Sequence, residues 1–237
     1  MAVKIPNRNI LFAAGFLISF LLVNYNQTLG QIYLGFMFLY LFLTVTDNKI
    51  MYSLNKGQTT WGYSILLAIF IYVGFNIVSG LILATVSSAS IVPNNMFQSV
   101  AKLMATATPV LAATGDRTVD LVLTILAWGL LVGFIETVVL FGGVLEWVED
   151  AFSSFKTRFN FLDGKTWFVV ALIAAIFTVF HIQAKGLKDS AALLVTFIFG
   201  VVSLWVIIKY KGETKTAVIF HILANTVAVL AAAGLLG

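Results

Sequence analysis

The chain has 237 residues, of which 60% are hydrophobic and only 10% are charged, and its mean hydropathy is +1.01. A soluble domain of this length cannot bury so much apolar surface, so an ordinary cytosolic fold is excluded. The absence of Cys excludes Cys nucleophiles, Cys-ligated zinc and iron–sulfur clusters. The net charge of +4 does not indicate nucleic-acid binding, because the basic residues are distributed as in a membrane protein.

Seven segments are apolar enough to cross a bilayer, which takes about 20 helical residues. In chain order they are Ile10–Tyr25, Leu29–Thr46, Trp61–Val86, Thr118–Leu145, Thr166–Gln183, Ser190–Ile208 and Thr216–Leu236. The predicted fold is therefore all-α: one polytopic transmembrane helical bundle over residues 1–237, with about seven spans. Residues 1–117 form its N-terminal part and residues 118–237 its core.

Two of the connecting stretches are amphipathic. Asn94–Thr108 places Met96, Phe97 and Val100 on one helical face, and Ala151–Leu162 alternates Phe with Lys and Arg. Both patterns are typical of helices lying in the headgroup plane. An amphipathic helix packed on the bundle is the alternative for each.

The positive charges predict the orientation of the bundle. With seven spans and the N-terminus inside, ten of the Lys and Arg residues fall on the inner side and four on the outer side. Because Lys and Arg concentrate on the cytoplasmic side, we predict an inner N-terminus and an outer C-terminus.

Three ionisable residues lie deep within predicted spans, namely Glu136, His181 and His221. Such groups are costly in a bilayer and are candidates for function. The alternative for each is a structural hydrogen bond between helices. Helix geometry favours an interior position for Glu136, since it lies beside a stripe of small residues, Gly129, Gly133 and Thr137, which allows another helix to approach closely.

The order and spacing of these residues resemble the CAAX protease and bacteriocin-processing (ABI) family of intramembrane proteases. That family has a Glu-Glu-x-x-x-Arg motif, then Phe-x-x-x-His, and finally His-x-x-x-Asn or Asp. Here Phe177-x-x-x-His181 matches the second motif and His221-x-x-x-Asn225 matches the third. A stretch with Gly212 precedes the last motif, as in the family. The resemblance covers residues from Thr118 to the C-terminus.

The first motif departs from the family pattern. Glu136 is retained, but Thr137 stands where the second Glu belongs and Phe141 where the Arg belongs. The two positions have the spacing of an ion pair on a helix, and replacing a whole buried pair by neutral groups can cost little. Our hypothesis is that this chain replaced a structural pair and kept its chemistry at Glu136.

The resemblance implies an intramembrane endopeptidase in which Glu136 and His181 activate water, while His221 and Asn225 stabilise the oxyanion. No cofactor is expected. Zinc held by Glu136, His181 and His221 is the alternative, with an open position for water. The implied partners are membrane lipid and a hydrophobic or membrane-anchored peptide substrate.

Depth along the helices gives a further condition for this site. At 1.5 Å per residue, Glu136 lies about 16 Å from Trp147, and His221 about 9 Å from the start of its span. His181 lies about 21 Å from Trp167, so the site closes only if its span tilts or enters the membrane later.

Two other functions remain open on the residues alone. A non-catalytic relative acting as a membrane scaffold or binding subunit, with a membrane-protein partner, is favoured by Thr137 and Phe141. A small proton-coupled carrier would use Glu136 and the histidines as a relay, but it would require broken helices or repeated halves, and the sequence has no internal repeat.

Overall fold

The computed structural model describes residues 18, 54, 59–86, 96–105, 114–143, 145, 163–185, 190–211 and 213–236. Over these residues the chain is helical and contains no strand, which confirms the all-α class. The predicted spans Ile10–Tyr25 and Leu29–Thr46 lie outside the described residues except for Ile18, and the predicted helix Ala151–Leu162 lies wholly outside them.

Six helices make up the described part of the protein. They are α1 (Trp61–Val86), α2 (Met96–Ala105), α3 (Arg117–Gly143), α4 (Gly164–Lys185), α5 (Ser190–Lys209) and α6 (Lys215–Ala232). All but α2 are long and apolar enough to cross a membrane, which makes five candidate spans in this part of the chain. The protein is therefore an integral, multi-pass membrane protein.

The helix bounds follow the predicted spans closely except at the C-terminus. There the predicted span continues to Leu236, whereas α6 ends at Ala232. Gly234 has a φ of +73°, and its N–H donates to the carbonyl of Ala231 at 3.0 Å. A left-handed glycine of this kind ends a helix, because the turned backbone satisfies the last carbonyls.

Helices α3 and α6 run antiparallel in close contact. A Cβ added to any of three α3 glycines would meet an atom of α6 or of its N-cap: Gly129 at 2.8 Å from Thr226 Oγ1, Gly133 at 3.2 Å from Ile222 N, and Gly142 at 3.0 Å from Thr214 Cγ2. At the far end, Arg117 donates to the carbonyl of Ala233 at 2.9 Å. The small-residue stripe predicted from the sequence is therefore a helix-packing surface.

The other helices surround this pair. Helix α6 also packs against α1, α2 and α5, and α4 packs along α5. The α4–α5 contact is close at Gly200, where an added Cβ would lie 3.2 Å from Ala174 Cα. Phe75, Phe199 and Phe220 fill the space between α1, α5 and α6, with edge-to-face contacts of Phe75 at 5.8 and 5.7 Å.

Helix α2 is the amphipathic segment predicted within Asn94–Thr108. Its residues Val100 and Ala101 are buried, Met96 fills the space beside Gly80, and Gln98 donates to the carbonyl of Leu236 at 3.0 Å. The structure therefore shows the packed alternative, an amphipathic helix seated on the bundle.

A buried ion pair lies at the start of α6 and contacts the start of α1, at the end of the bundle where α5 ends, which we call the Lys215 end. Lys215 Nζ lies 3.1 Å from Glu213 Oε1, donates to the carbonyl of Thr59 at 2.8 Å, and sits 5.1 Å from the ring centre of Trp61. Thr59 Oγ1 also donates to Glu213. The side chains of Lys215 and Glu213 are only 4% and 1% exposed. Each buried charge is therefore compensated by the opposite charge of its partner.

This pair predicts a strong coupling in stability. Lys215→Met should destabilise the protein by about 3–5 kcal/mol, because Glu213 would be left as a buried, unpaired charge. The double variant Glu213→Gln with Lys215→Met should recover most of this loss. Thermal unfolding in detergent measures both, and equal losses in the single and double variants would contradict the coupling.

The close packing of α3 on α6 predicts that adding a methyl group at this contact lowers thermal stability. Gly133→Ala should lower thermal stability, since its Cβ would press on the backbone of Ile222 and push the helices apart by a few tenths of an ångström. The matched control is Gly74→Ala in α1, where an added Cβ meets nothing within 4 Å and better helix propensity should leave stability equal or higher. A Gly133→Ala protein as stable as the control would contradict the prediction.

Candidate active site

Glu136 and His221 meet across the α3–α6 contact. His221 Nε2 lies 3.2 Å from Glu136 Oε2. The imidazole is buried, at 2% exposure, whereas the carboxylate is 20% exposed. One turn before Glu136, Gly133 lies against the backbone of His221 and Ile222. The absence of a side chain at Gly133 is therefore what allows the two functional groups to come within reach.

The backbone of α3 is irregular around Glu136. It is α-helical over Arg117–Thr124 and Gly133–Ile135 and π-helical over Ile125–Val132 and Glu136–Gly143. Wider turns of this kind are rare and occur frequently at functional sites. Glu136 is the first residue of the second π-helical stretch, directly after the short α-helical turn.

Thr137, next to Glu136, contacts the other nitrogen of the His221 ring. Its Oγ1 lies 2.9 Å from His221 Nδ1 and also donates to the carbonyl of Gly133 at 2.8 Å. Thr137 is fully buried. Both nitrogens of His221 are therefore engaged by neighbouring residues of α3.

Three aromatic rings enclose His221. The ring centres of Phe199, Phe141 and Phe177 lie 4.6, 6.3 and 6.3 Å from that of the imidazole. All three are buried. Since apolar walls lower the local dielectric constant, the contact between Glu136 and His221 is stronger here than it would be in water.

His181 reaches this cluster through Phe177. The ring centres of the two residues are 4.3 Å apart, and His181 Nδ1 lies 2.8 Å from the carbonyl oxygen of Phe177. A carbonyl only accepts, so Nδ1 carries the proton, and in the neutral ring Nε2 is an acceptor.

Two contacts define the position of α4 beside the site. Phe177 packs on Phe141, with ring centres 4.9 Å apart, and Ala174 lies against Gly200. These contacts place Phe177 beside His221, and His181, one turn further along α4, packs against Phe177.

Asn225 lies one helical turn beyond His221 on α6. Its Nδ2 donates to the carbonyl of Trp128 at 3.1 Å, within the first π-helical stretch of α3. The amide is thus oriented by α3, on the Arg117 side of the Glu136–His221 contact. Its second N–H is available in principle for another acceptor.

Sequence reasoning did not predict that Thr137 and Phe141 would contact His221 directly. The signal was present, since Thr137 continues the stripe of Gly129 and Gly133 that faces α6. From the sequence alone, this stripe indicates a packing surface, and the departure from the motif indicates a lost ion pair.

Zinc held by Glu136, His181 and His221 is the alternative that the sequence leaves open. No three His, Asp or Glu side chains in the described part of the chain are grouped to hold one metal ion, and both nitrogens of His221 already face Thr137 and Glu136.

Residues 118–227 match the family model described as type II CAAX prenyl endopeptidase Rce1-like. The match begins in α3, ends within α6 and includes all four predicted site residues. No curated protein and no solved structure matches the chain significantly. The resemblance inferred from the motifs is confirmed over residues 118–227, which match this model of the CAAX protease and bacteriocin-processing family.

Proposed function

We propose that the protein is an intramembrane endopeptidase that hydrolyses a hydrophobic or membrane-anchored peptide, with Glu136 as the general base. The observation that carries this proposal is a partly exposed carboxylate held against a buried imidazole within a membrane-spanning helix. Burying ionisable groups at such positions costs free energy. Because aromatic rings enclose His221, the strength of its contact with Glu136 depends on which of the two carries the proton.

Glu136 would remove a proton from the attacking water as its oxygen bonds to the peptide carbonyl carbon. His221 orients the carboxylate through Oε2, and we assign Oε1 as the proton acceptor. When the C–N bond breaks, the same proton passes from Glu136 to the leaving nitrogen. Acid–base catalysis of this kind is typically worth about 10²–10⁴-fold in rate.

His181 would orient the attacking water together with Glu136. Its Nδ1–H is directed to the Phe177 carbonyl, so the neutral ring offers Nε2 as an acceptor for a water proton. This assignment agrees with the role that the family resemblance implies for the second motif.

The oxyanion would be stabilised mainly by Asn225. The resemblance assigns His221 to the same task, but both nitrogens of that ring are engaged by Thr137 and Glu136. Asn225 is anchored by one N–H on Trp128, which orients the other. A preorganised donor of this type strengthens as negative charge develops on the carbonyl oxygen.

The family description names CAAX prenyl endopeptidases; for this chain we propose only the broader class of hydrophobic or membrane-anchored peptides, with membrane lipid as the surrounding partner. We further propose that the Lys215 end faces the cytoplasm, with the N-terminus inside and the C-terminus outside. In support, Lys165, Lys209 and Lys211 lie near the helix ends on that side, as the distribution of positive charge requires.

A non-catalytic scaffold is the second candidate function. It is favoured by the neutral, fully buried Thr137 and Phe141 at positions where the family motif carries charges. On this alternative, the Glu136–His221 contact is a structural hydrogen bond between α3 and α6, and a membrane-protein partner would carry the function.

Glu136→Gln should lower cleavage by about 10²–10⁴-fold without unfolding the protein. The assay uses protein in lipid vesicles and a library of fluorogenic hydrophobic peptides, both prenylated and unmodified. The control is Asp163→Asn, which removes an acid but keeps an N-cap for α4 and should retain full activity. Cleavage by Glu136→Gln at the wild-type rate would contradict the proposal, and an inactive wild type would favour the scaffold.

Metal removal tests the mechanism separately. With water activated by Glu136, EDTA should leave the rate of peptide cleavage unchanged. A loss of activity that added Zn²⁺ restores would instead transfer the role of Glu136, His181 and His221 to metal binding.

A further inference from the structure

We propose that Thr137 is a positioning residue that fixes the tautomer of His221 and so keeps one proton between His221 and Glu136. The inference deepens the proposed function, on which its consequence for catalysis rests. The number of protons available to the hydrogen bonds around the imidazole determines which tautomer His221 adopts.

The Thr137 hydroxyl has a single proton and two close neighbours. One is the carbonyl oxygen of Gly133 at 2.8 Å, which can only accept a hydrogen bond. The hydroxyl proton is therefore directed to Gly133. The second neighbour, His221 Nδ1 at 2.9 Å, must then donate to the Thr137 oxygen, so Nδ1 carries a proton.

This assignment determines what lies between His221 and Glu136. In a neutral ring protonated at Nδ1, Nε2 is an acceptor, and an ionised carboxylate also only accepts. Their contact at 3.2 Å is a hydrogen bond only when one further proton lies between them. The pair is then either a neutral imidazole with a protonated Glu136 or an imidazolium with an ionised Glu136, and only the second form can act as the general base proposed above.

Among the residues around His221, Thr137 is the one that determines which ring nitrogen carries the proton. In the described part of the chain, the side-chain hydrogen-bond partners of His221 are Thr137 and Glu136, both from α3. From α4 and α5 the ring meets Phe177 and Phe199. On α4, the titratable side chain of His181 packs against Phe177.

These proton positions also explain how Thr137 can replace the second Glu of the family motif. A carboxylate there would be an acceptor for Nδ1–H. The Thr137 hydroxyl, with its proton directed to Gly133, also presents only lone pairs to His221. It does so without charge, so no cation is needed at Phe141, which instead fills the space against Phe177 and His221.

The test is the ¹⁵N spectrum of histidine-labelled protein in detergent micelles. The chain has two histidines, so a His181→Gln sample assigns the signals of His221. In the wild type, Nδ1 of His221 should show the shift of a protonated nitrogen. Thr137→Val, which keeps the shape and removes the oxygen, should release the proton to Nε2, facing Glu136, and lower peptide cleavage by about 10-fold or more. Thr137→Ser should restore both readouts.

Thr196→Val is the matched control, because Thr196 is also buried and also donates to the carbonyl four residues earlier, at 2.8 Å. It should leave the His221 signals and the activity unchanged. Unchanged His221 signals in Thr137→Val, or failure of Thr137→Ser to restore them, would overturn the proposal. The spectrum does not depend on turnover, so an inactive wild type with the predicted tautomer would count against the protease and not against the role of Thr137.

Discussion

The contact between Glu136 and His221 is the interaction on which the rest of the site depends. Two ionisable side chains within spanning helices are tolerated when they meet each other away from lipid. That meeting requires α3 and α6 to approach more closely than ordinary side chains would allow, and Gly129, Gly133 and Gly142 provide the space. The Glu136–His221 contact therefore forms only if α3 and α6 pack this closely.

The surrounding residues arrange the protons of this contact. Thr137 engages one nitrogen of the imidazole, and Phe141, Phe177 and Phe199 keep the ring in an apolar environment. The π-helical turns of α3 place Glu136 and Thr137 on α6 and, one stretch earlier, aim the Trp128 carbonyl at Asn225.

The departure from the family motif is consistent with this arrangement. The sequence favours the hypothesis that Thr137 and Phe141 are the neutral replacement of a structural ion pair. In the structure both residues contact His221, so the two positions also form part of the walls of the site. An uncharged acceptor at Thr137 and an apolar ring at Phe141 are mutually compatible, because neither leaves a buried charge without a partner.

The sequence by itself determined the membrane class, the bounds of the described spans to within a few residues, and the identity of the four candidate site residues. These properties follow from apolar run length and from the rarity of charge in a span, which are local features. Only the tertiary structure decided which of these residues meet. Periodicity defines the face of a helix but not its rotation or shift against a neighbour. Between apolar helices that register is set by close packing, here by Gly133 on Ile222 and Gly200 on Ala174.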